Sequence, residues 1–397
     1  MYIIYRLKPL MTVIQFIGRY TGALLAVLAL IVLYLMLTGC SATDDVPGGA
    51  KGDDGKQGSA IAFSVSSDST TRAITRTAQG TMTLDGTGST VSLRDKGFGV
   101  FACHTGVHPY VSTSTVSNLL YNQLVSYNGG SGTWEYSPLV YWPNGDDDVP
   151  EYVSFFAYAP HSDNANGCIV DMSRPEEVGD PWILYQLGGG TMADGDEGWK
   201  ARQVDLVYDF KKDQKRTFPI ADNKIDFDFK HALACIGDQI TVSVGESVKT
   251  RLKGIYYGYP VTLTVSTITV DYLLTRKGRL VLNNSSQPNW QAVESEDSKV
   301  HRTLSYTPNL MMAQATSSTA CTTTSFTTSA GNGVFYIPIE SGSDKQKVTI
   351  SVAYTITTGS PTYVVSEGTL EAVVELNYIS NPSQGRNLNI TIQIPDL

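Results

Sequence analysis

The residues best suited to chemistry are few and scattered. Cys103, His104 and His108 come close enough in the chain to suggest a metal centre. On a strand, however, the two histidines would share a face yet lie about 13 Å apart at ~3.3 Å per residue. The acidic runs Asp146-Asp147-Asp148 and Asp194-Gly195-Asp196-Glu197 carry the oxygen ligands calcium takes. Neither follows the spacing of a calcium-binding helix–loop–helix, so solvated loops are expected. Gly55-Lys56 superficially suggests a phosphate loop, but Gln57 stands where a Ser or Thr would hold magnesium. There is no G-x-S-x-G elbow, no H-E-x-x-H and no dinucleotide-binding glycine set. His231, ahead of Ala232-Leu233-Ala234, reads as a structural histidine rather than a general base. No enzyme, cofactor or metal is expected.

Composition agrees with that reading. The chain has 397 residues, only 17% of them charged, and 22 tyrosines. Abundant Tyr, Thr, Ser and Gly suit β-sheets joined by polar turns. A net charge of -9 argues against nucleic acid as a partner, because phosphate binding needs a basic face. Cys103, Cys168, Cys235 and Cys321 are too irregularly spaced for a zinc motif. They either pair in one or two disulfides or stay as buried thiols, and the spacing does not choose between these.

The fifth cysteine, Cys40, carries a different chemistry. It closes Leu37-Thr38-Gly39-Cys40-Ser41, at the end of the apolar run Tyr20–Leu37 and behind Arg6, Lys8 and Arg19. The arrangement resembles the bacterial lipobox, in which small residues admit a signal peptidase and the thiol takes up diacylglycerol. Residues 1–39 are then a lipoprotein signal, with Met11 an alternative start. The competing reading is a plain membrane anchor with an incidental cysteine. Residues 40–59 are polar and glycine-rich, too poor in apolar side chains to bury a core, and are expected to be a flexible tether.

These positions need elements to hold them. Ile61, Phe63 and Val65 alternate with Ala62, Ser64 and Ser66, the period-2 pattern of a half-buried strand. A polar run follows, then Arg72, where a trypsin-like protease could cut. From residue 81 the chain reads as short strands broken by Gly, Pro and Asp: Gly97–Cys103, Tyr121–Tyr127, Thr133–Tyr136, Leu139–Pro143 and Tyr152–Pro160. Trp134, Tyr141, Trp142, Phe155, Phe156 and Tyr158 are expected in the core rather than on a ligand platform. Beyond residue 220, alternation strengthens at Ile225-Phe227-Phe229, Ile240-Val242-Val244 and Val261–Val270, and returns at Gly333–Ile339, Val348–Ile356 and Leu370–Leu376. Met311–Thr328 is expected to form a long loop or an edge. At the end, Leu388, Ile390, Ile392 and Ile394 share one face of a strand, which either closes its own sheet or completes another molecule's. The fold class is all-β, with two tandem β-sandwich-like domains at 60–220 and 221–397.

Taken in order, Trp134-Glu135-Tyr136, Tyr141-Trp142-Pro143, an acidic loop, Val153–Pro160 (VSFFAYAP) and Ile225–Ala234 (IDFDFKHALA) resemble the fimbrillin-type proteins of Bacteroidetes, the type V pilins and their relatives. Asp44 and Asp45 resemble the acidic export signal of surface lipoproteins in that group. The resemblance implies transthyretin-like sandwiches and an outer-membrane lipoprotein anchored through Cys40 that takes part in adhesion. It implies cleavage between Arg72 and Ala73, with Arg76 the alternative, and loss of the strand carrying Ile61, Phe63 and Val65. A strand from another subunit would fill the vacated groove, with Leu388, Ile390, Ile392 and Ile394 as candidate donors. The partners implied are other pilin subunits, the outer membrane, and a surface glycan or protein. The alternatives are an uncut anchor or tip subunit, or a monomeric lipoprotein that binds glycans.

Overall fold

The computed structural model describes residues 59–66, 82–86, 90–143, 149, 151–187, 202–216, 224–236, 240–275, 277–284, 288–293, 299–328, 335–337, 346–376 and 391–394. Cys40, Arg72, Ala73, Arg76, Leu388, Ile390 and both acidic runs lie outside them. No helix among the described residues is long and apolar enough to cross a membrane.

The chain is all-β. Its N-terminal half is built on a six-stranded sheet in the order β12 (Lys230–His231), β10 (Val207–Lys215), β7 (Tyr152–Ala159), β4 (Phe98–Gly106), β5 (Leu120–Asn128), β6 (Thr133–Glu135). Both faces of this sheet are covered. Phe101, Cys103, Phe156, Tyr158 and Tyr208 enter one core. Phe98, Val100, Ala102, Phe155, Ala157 and Val207 enter another. That is why the β7 sequence reads as an apolar run broken only by Ser154: alternate side chains point to opposite faces, and neither face meets water.

The first core is closed by a four-stranded sheet in the order β17 (Asn289–Ala292), β16 (Lys277–Val281), β9 (Trp182–Gln186), β8 (Ile169–Met172). The second is closed by a parallel pair, β1 (Ala62–Val65) with β11 (Lys224–Phe227). The short parallel pair β2 (Met82–Thr83) and β3 (Val91–Ser92) leads into a one-turn helix, α1 (Leu93–Lys96). Strands β11, β12, β16 and β17 all come from beyond residue 220, so these sheets draw on chain from both sides of that position.

The C-terminal core is formed by β20 (Cys321–Thr323), β19 (Leu310–Ala315), β15 (Val261–Thr275), β23 (Gln346–Thr358) and β24 (Tyr363–Leu376) in that order, with β18 (Lys299–Tyr306) also pairing with β15. Smaller pairings add β13 (Ala234–Ile236) with β22 (Phe335–Ile337), and β21 (Phe326–Thr327) with β14 (Thr241–Val244) and β25 (Thr391–Ile394). Along β15 the buried side chains are Val261, Leu263 and Val265, then Ile268, Val270 and Tyr272. The phase slips by one residue because the register with β23 shifts between Val265 and Thr267. Such a bulge lets two residues oppose one and re-aims everything after it.

Two features depart from the sequence reading. Residues 246–255, where no helix is expected, form α2 (Glu246–Ile255). It buries Val248 and Leu252, one turn apart, with Ile255 packed partly against the same core. Only those three apolar residues mark its inner face, too few to stand out beside the strand patterns. Within Met311–Thr328, β20 and β21 are sheet edges, one of the two forms expected, whereas β19 is an interior strand between β20 and β15.

Candidate functional site

The short strand β1 fills a slot in the N-terminal core. Its period-2 pattern turns Ile61 and Phe63 inward, where they are 1% and 3% exposed, and leaves Val65 half-buried against the same cluster. On one side it pairs in parallel with β11, Phe63 opposite Ile225 and Val65 opposite Phe227. On the other it meets the Leu139–Pro143 stretch. Ile61 N–H donates to Val140 O at 2.9 Å and Trp142 N–H donates to Ser59 O at 3.0 Å. The expected strand at 139–143 is therefore a single bridge, Ala60 to Tyr141. Tyr136 ties that side down, its hydroxyl donating to Ile61 O at 2.9 Å.

Phe63 is the anchor. Its ring centroid lies 5.3 Å from Tyr136, 5.9 Å from Phe155, 5.9 Å from Phe227 and 6.2 Å from Phe98. Edge-on and offset contacts at these distances add to simple burial. On the outward face Ser64 Oγ donates to Asp226 Oδ1 at 2.9 Å, and Ser66 Oγ donates to Asp226 Oδ2. Burial of Ile61 and Phe63 is worth ~1.5–3 kcal/mol each, roughly 3–6 kcal/mol together.

Beyond the undescribed stretch that holds Arg72, Ala73 and Arg76, the chain resumes at Met82. Its N–H donates to Asp205 Oδ2 at 3.1 Å. The same carboxylate lies 2.5 Å from His231 Nδ1, and both side chains are buried. His231 therefore sits in a structural pair that fixes the chain just past the candidate cleavage site. Near the end of the sequence, Ile392 and Ile394 lie in β25, which joins β14 in parallel, Val242 opposite Ile392 and Val244 opposite Ile394. In this structure the C-terminal strand closes its own sheet.

The remaining candidates resolve simply. Phe155, Phe156, Tyr158 and Trp142 are buried, and Trp134 is half-buried, while Tyr141 is 43% exposed. Cys103, Cys168 and Cys235 are buried thiols and Cys321 is half-buried. Burial pushes the Cys103 thiol up to about 11. His104 Nε2 lies 2.8 Å from Glu151 Oε2, and no group of three metal-ligating side chains occurs among the described residues. Asp226 and Val140 were not singled out from sequence. The available signal was that Ile225-Asp226-Phe227 repeats the in–out–in pattern of Phe63-Ser64-Val65.

A fimbrillin-like family signature spans residues 71–372, and the chain belongs to that family. Its members are structural, non-enzymatic proteins, and so is this chain. A fimbrial protein from Bacteroides vulgatus shares the fold, with a TM-score of 0.51 at 19% identity over 84% of this chain and 95% of its own. A protein from Bacteroides uniformis described as a cell adhesion protein gives 0.32 at 11% identity, over 80% of this chain and 98% of its own. An adhesin-like protein from Bacteroides ovatus gives 0.30 at 12%, over 89% and 95%. No curated protein matches the chain.

Proposed function

We propose that this fimbrillin-like chain is a cell-surface fimbrial subunit that polymerises by strand exchange and contributes to adhesion. The precursor is lipidated at Cys40 and held at the outer membrane through residues 40–59. Cleavage between Arg72 and Ala73, or after Arg76, frees β1. The vacated slot, walled by Phe98, Tyr136, Phe155 and Phe227, then accepts a strand from a second subunit. The donor is the 388–394 segment, through Leu388, Ile390, Ile392 and Ile394.

The observation that carries this reading is the placement of β1. It is short, inserted in a ready-made aromatic slot, and joined to the rest of the chain through the stretch that holds Arg72. An open slot would leave backbone groups and aromatic faces unpaired, which gives an incoming strand its driving force. Association opposes it by roughly 4–15 kcal/mol, so ladder hydrogen bonds must add to side-chain burial.

The test is intact mass and N-terminal sequencing of the membrane-derived protein before and after a trypsin-like protease. The expected result is a lipidated Cys40 form that converts to a chain beginning at Ala73 or Thr77 and then forms ladders on mild-SDS gels. A protein that resists cutting and stays monomeric would overturn the polymerising reading in favour of an anchor or a monomeric surface protein.

A further inference from the structure

The four-stranded sheet that closes the first core carries a second, polar feature on its outer face. Alternation sends Ile183, Tyr185, Leu280 and Trp290 into the core. Their neighbours Trp182, Arg279, Val281 and Gln291 go to the opposite face, with Trp182 opposite Val281 and Arg279 opposite Gln291 across the ladder. Two loops wall this face and leave a cavity of about 360 Å³, lined also by Ser112, Thr113, Gly179 and Asn283. The loops are pinned to each other: Gly179 N–H donates to Thr115 O at 3.0 Å, and Tyr110 Oη donates to Gly179 O at 3.1 Å. The cavity is thus preformed, at the lower end of the roughly 300–1,000 Å³ typical of small-molecule sites.

Its polar groups are unequally spent. Glu177 accepts from Trp182 Nε1 at 2.8 Å through one oxygen and from Arg174 N–H at 3.1 Å through the other. Asp180 faces Lys212 Nζ at 3.5 Å and accepts from Asn283 Nδ2 at 2.9 Å. Both carboxylates therefore already have partners. Arg279 is held differently: its guanidinium lies over the Trp182 ring at 4.2 Å, and its Nε is buried without an acceptor among the described residues, which leaves the terminal nitrogens as the end open to a ligand. A planar donor fork held by stacking, with hydrogen-bonding capacity to spare, matches a carboxylate. Around it, Ser112, Thr113 and Gln291 offer groups that both donate and accept, the complement of sugar hydroxyls.

We propose that this cavity binds an acidic sugar, with Arg279 taking the carboxylate and the hydroxyl and amide side chains taking the ring hydroxyls. The proposal deepens the adhesive part of the function proposed above. It is tested on the full uncut chain, so its outcome is independent of cutting and polymerisation. Glucuronic acid is titrated against the protein, with glucose as the neutral counterpart and acetate as the bare carboxylate, followed by tryptophan fluorescence and saturation-transfer NMR. Saturable binding of glucuronic acid is expected, with glucose and acetate each at least about tenfold weaker, the scale of losing a charge-assisted pair or the hydroxyl contacts. Arg279→Gln should weaken glucuronic acid by a similar factor. Arg279→Lys, which keeps the charge but loses the fork, should fall between. Absence of saturation, equal binding of glucose or of acetate, or unchanged affinity in either folded variant would overturn the assignment.

Discussion

β1 and β25 are both four-residue strands that join their neighbours in parallel, yet they are held in different ways. β1 has partners along both edges, β11 on one side and residues 140–142 on the other, and it drives Phe63 into a ring of four aromatics. β25 pairs along one edge only among the described residues, with β14, whose other edge is taken by β21. A strand gripped on both edges and anchored by a large side chain does not leave on its own, so a covalent cut is the natural way to release it. A strand held along one edge can exchange. This difference in how the two strands are held is what the proposed exchange of strands would use.

The largest effect should come from removing the plug outright. Cutting after Arg72 and releasing β1 should lower the unfolding free energy by at least about 3–6 kcal/mol, the burial of Ile61 and Phe63 alone. A synthetic peptide spanning residues 59–66 should restore most of it in denaturant melts. A cut chain as stable as the intact one would erase the contrast between the two ends. Next, Phe63→Ala in the uncut chain should destabilise by about 3–5 kcal/mol, the usual range for a buried aromatic truncated to Ala. A loss below about 1 kcal/mol would mean that β1 is not gripped as the ring contacts indicate.

The paired change Ile390→Ala and Ile392→Ala should shift monomer stability less than Phe63→Ala does, while suppressing polymers of the cut protein. Normal ladders from this variant would remove the donor assignment.

A smaller, pH-dependent effect tests the slot wall. Asp209 is raised above the ordinary aspartate range, first by burial, against Lys211 and the Asp228 N–H, which donates to its Oδ2 at 2.7 Å. Because the folded value is the higher one, its contribution is fully present below the unfolded value of about 3.9 and is lost as pH rises through the folded value. Asp209→Asn should flatten the fall in stability over that acidic window, measured as denaturant midpoint against pH. An unchanged slope would exclude Asp209 as its source. Least of all, Cys103 should resist alkylation at neutral pH in the folded chain, since burial holds its thiol near 11, and react once the chain is unfolded. Rapid labelling of the native protein would show that the shared sheet opens locally.

Much of the candidate site was legible from residues 61–65, because alternation alone states which side chains of a strand seek a core. The same logic located β11 and β15. It could not supply Asp226 or Tyr136 as the groups that clamp β1, since each acquires that role only by meeting residues 75 to 162 positions away. Nor could it reveal the polar cavity, whose Trp182 and Arg279 are neighbours only across the β9–β16 ladder.

The sequence by itself determined that the chain is all-β, which side chains of β1 turn inward, and that its ends carry strand-like segments. Those facts follow from local periodicity, which each stretch carries within itself. Only the tertiary structure decided that β7 is covered on both faces, that residues 277–292 return to close the N-terminal core, and that β1 and β25 pair in parallel. Strand pairing joins residues far apart in the chain through backbone groups common to every residue. Its partners are therefore chosen by how the whole set of apolar faces can be buried together.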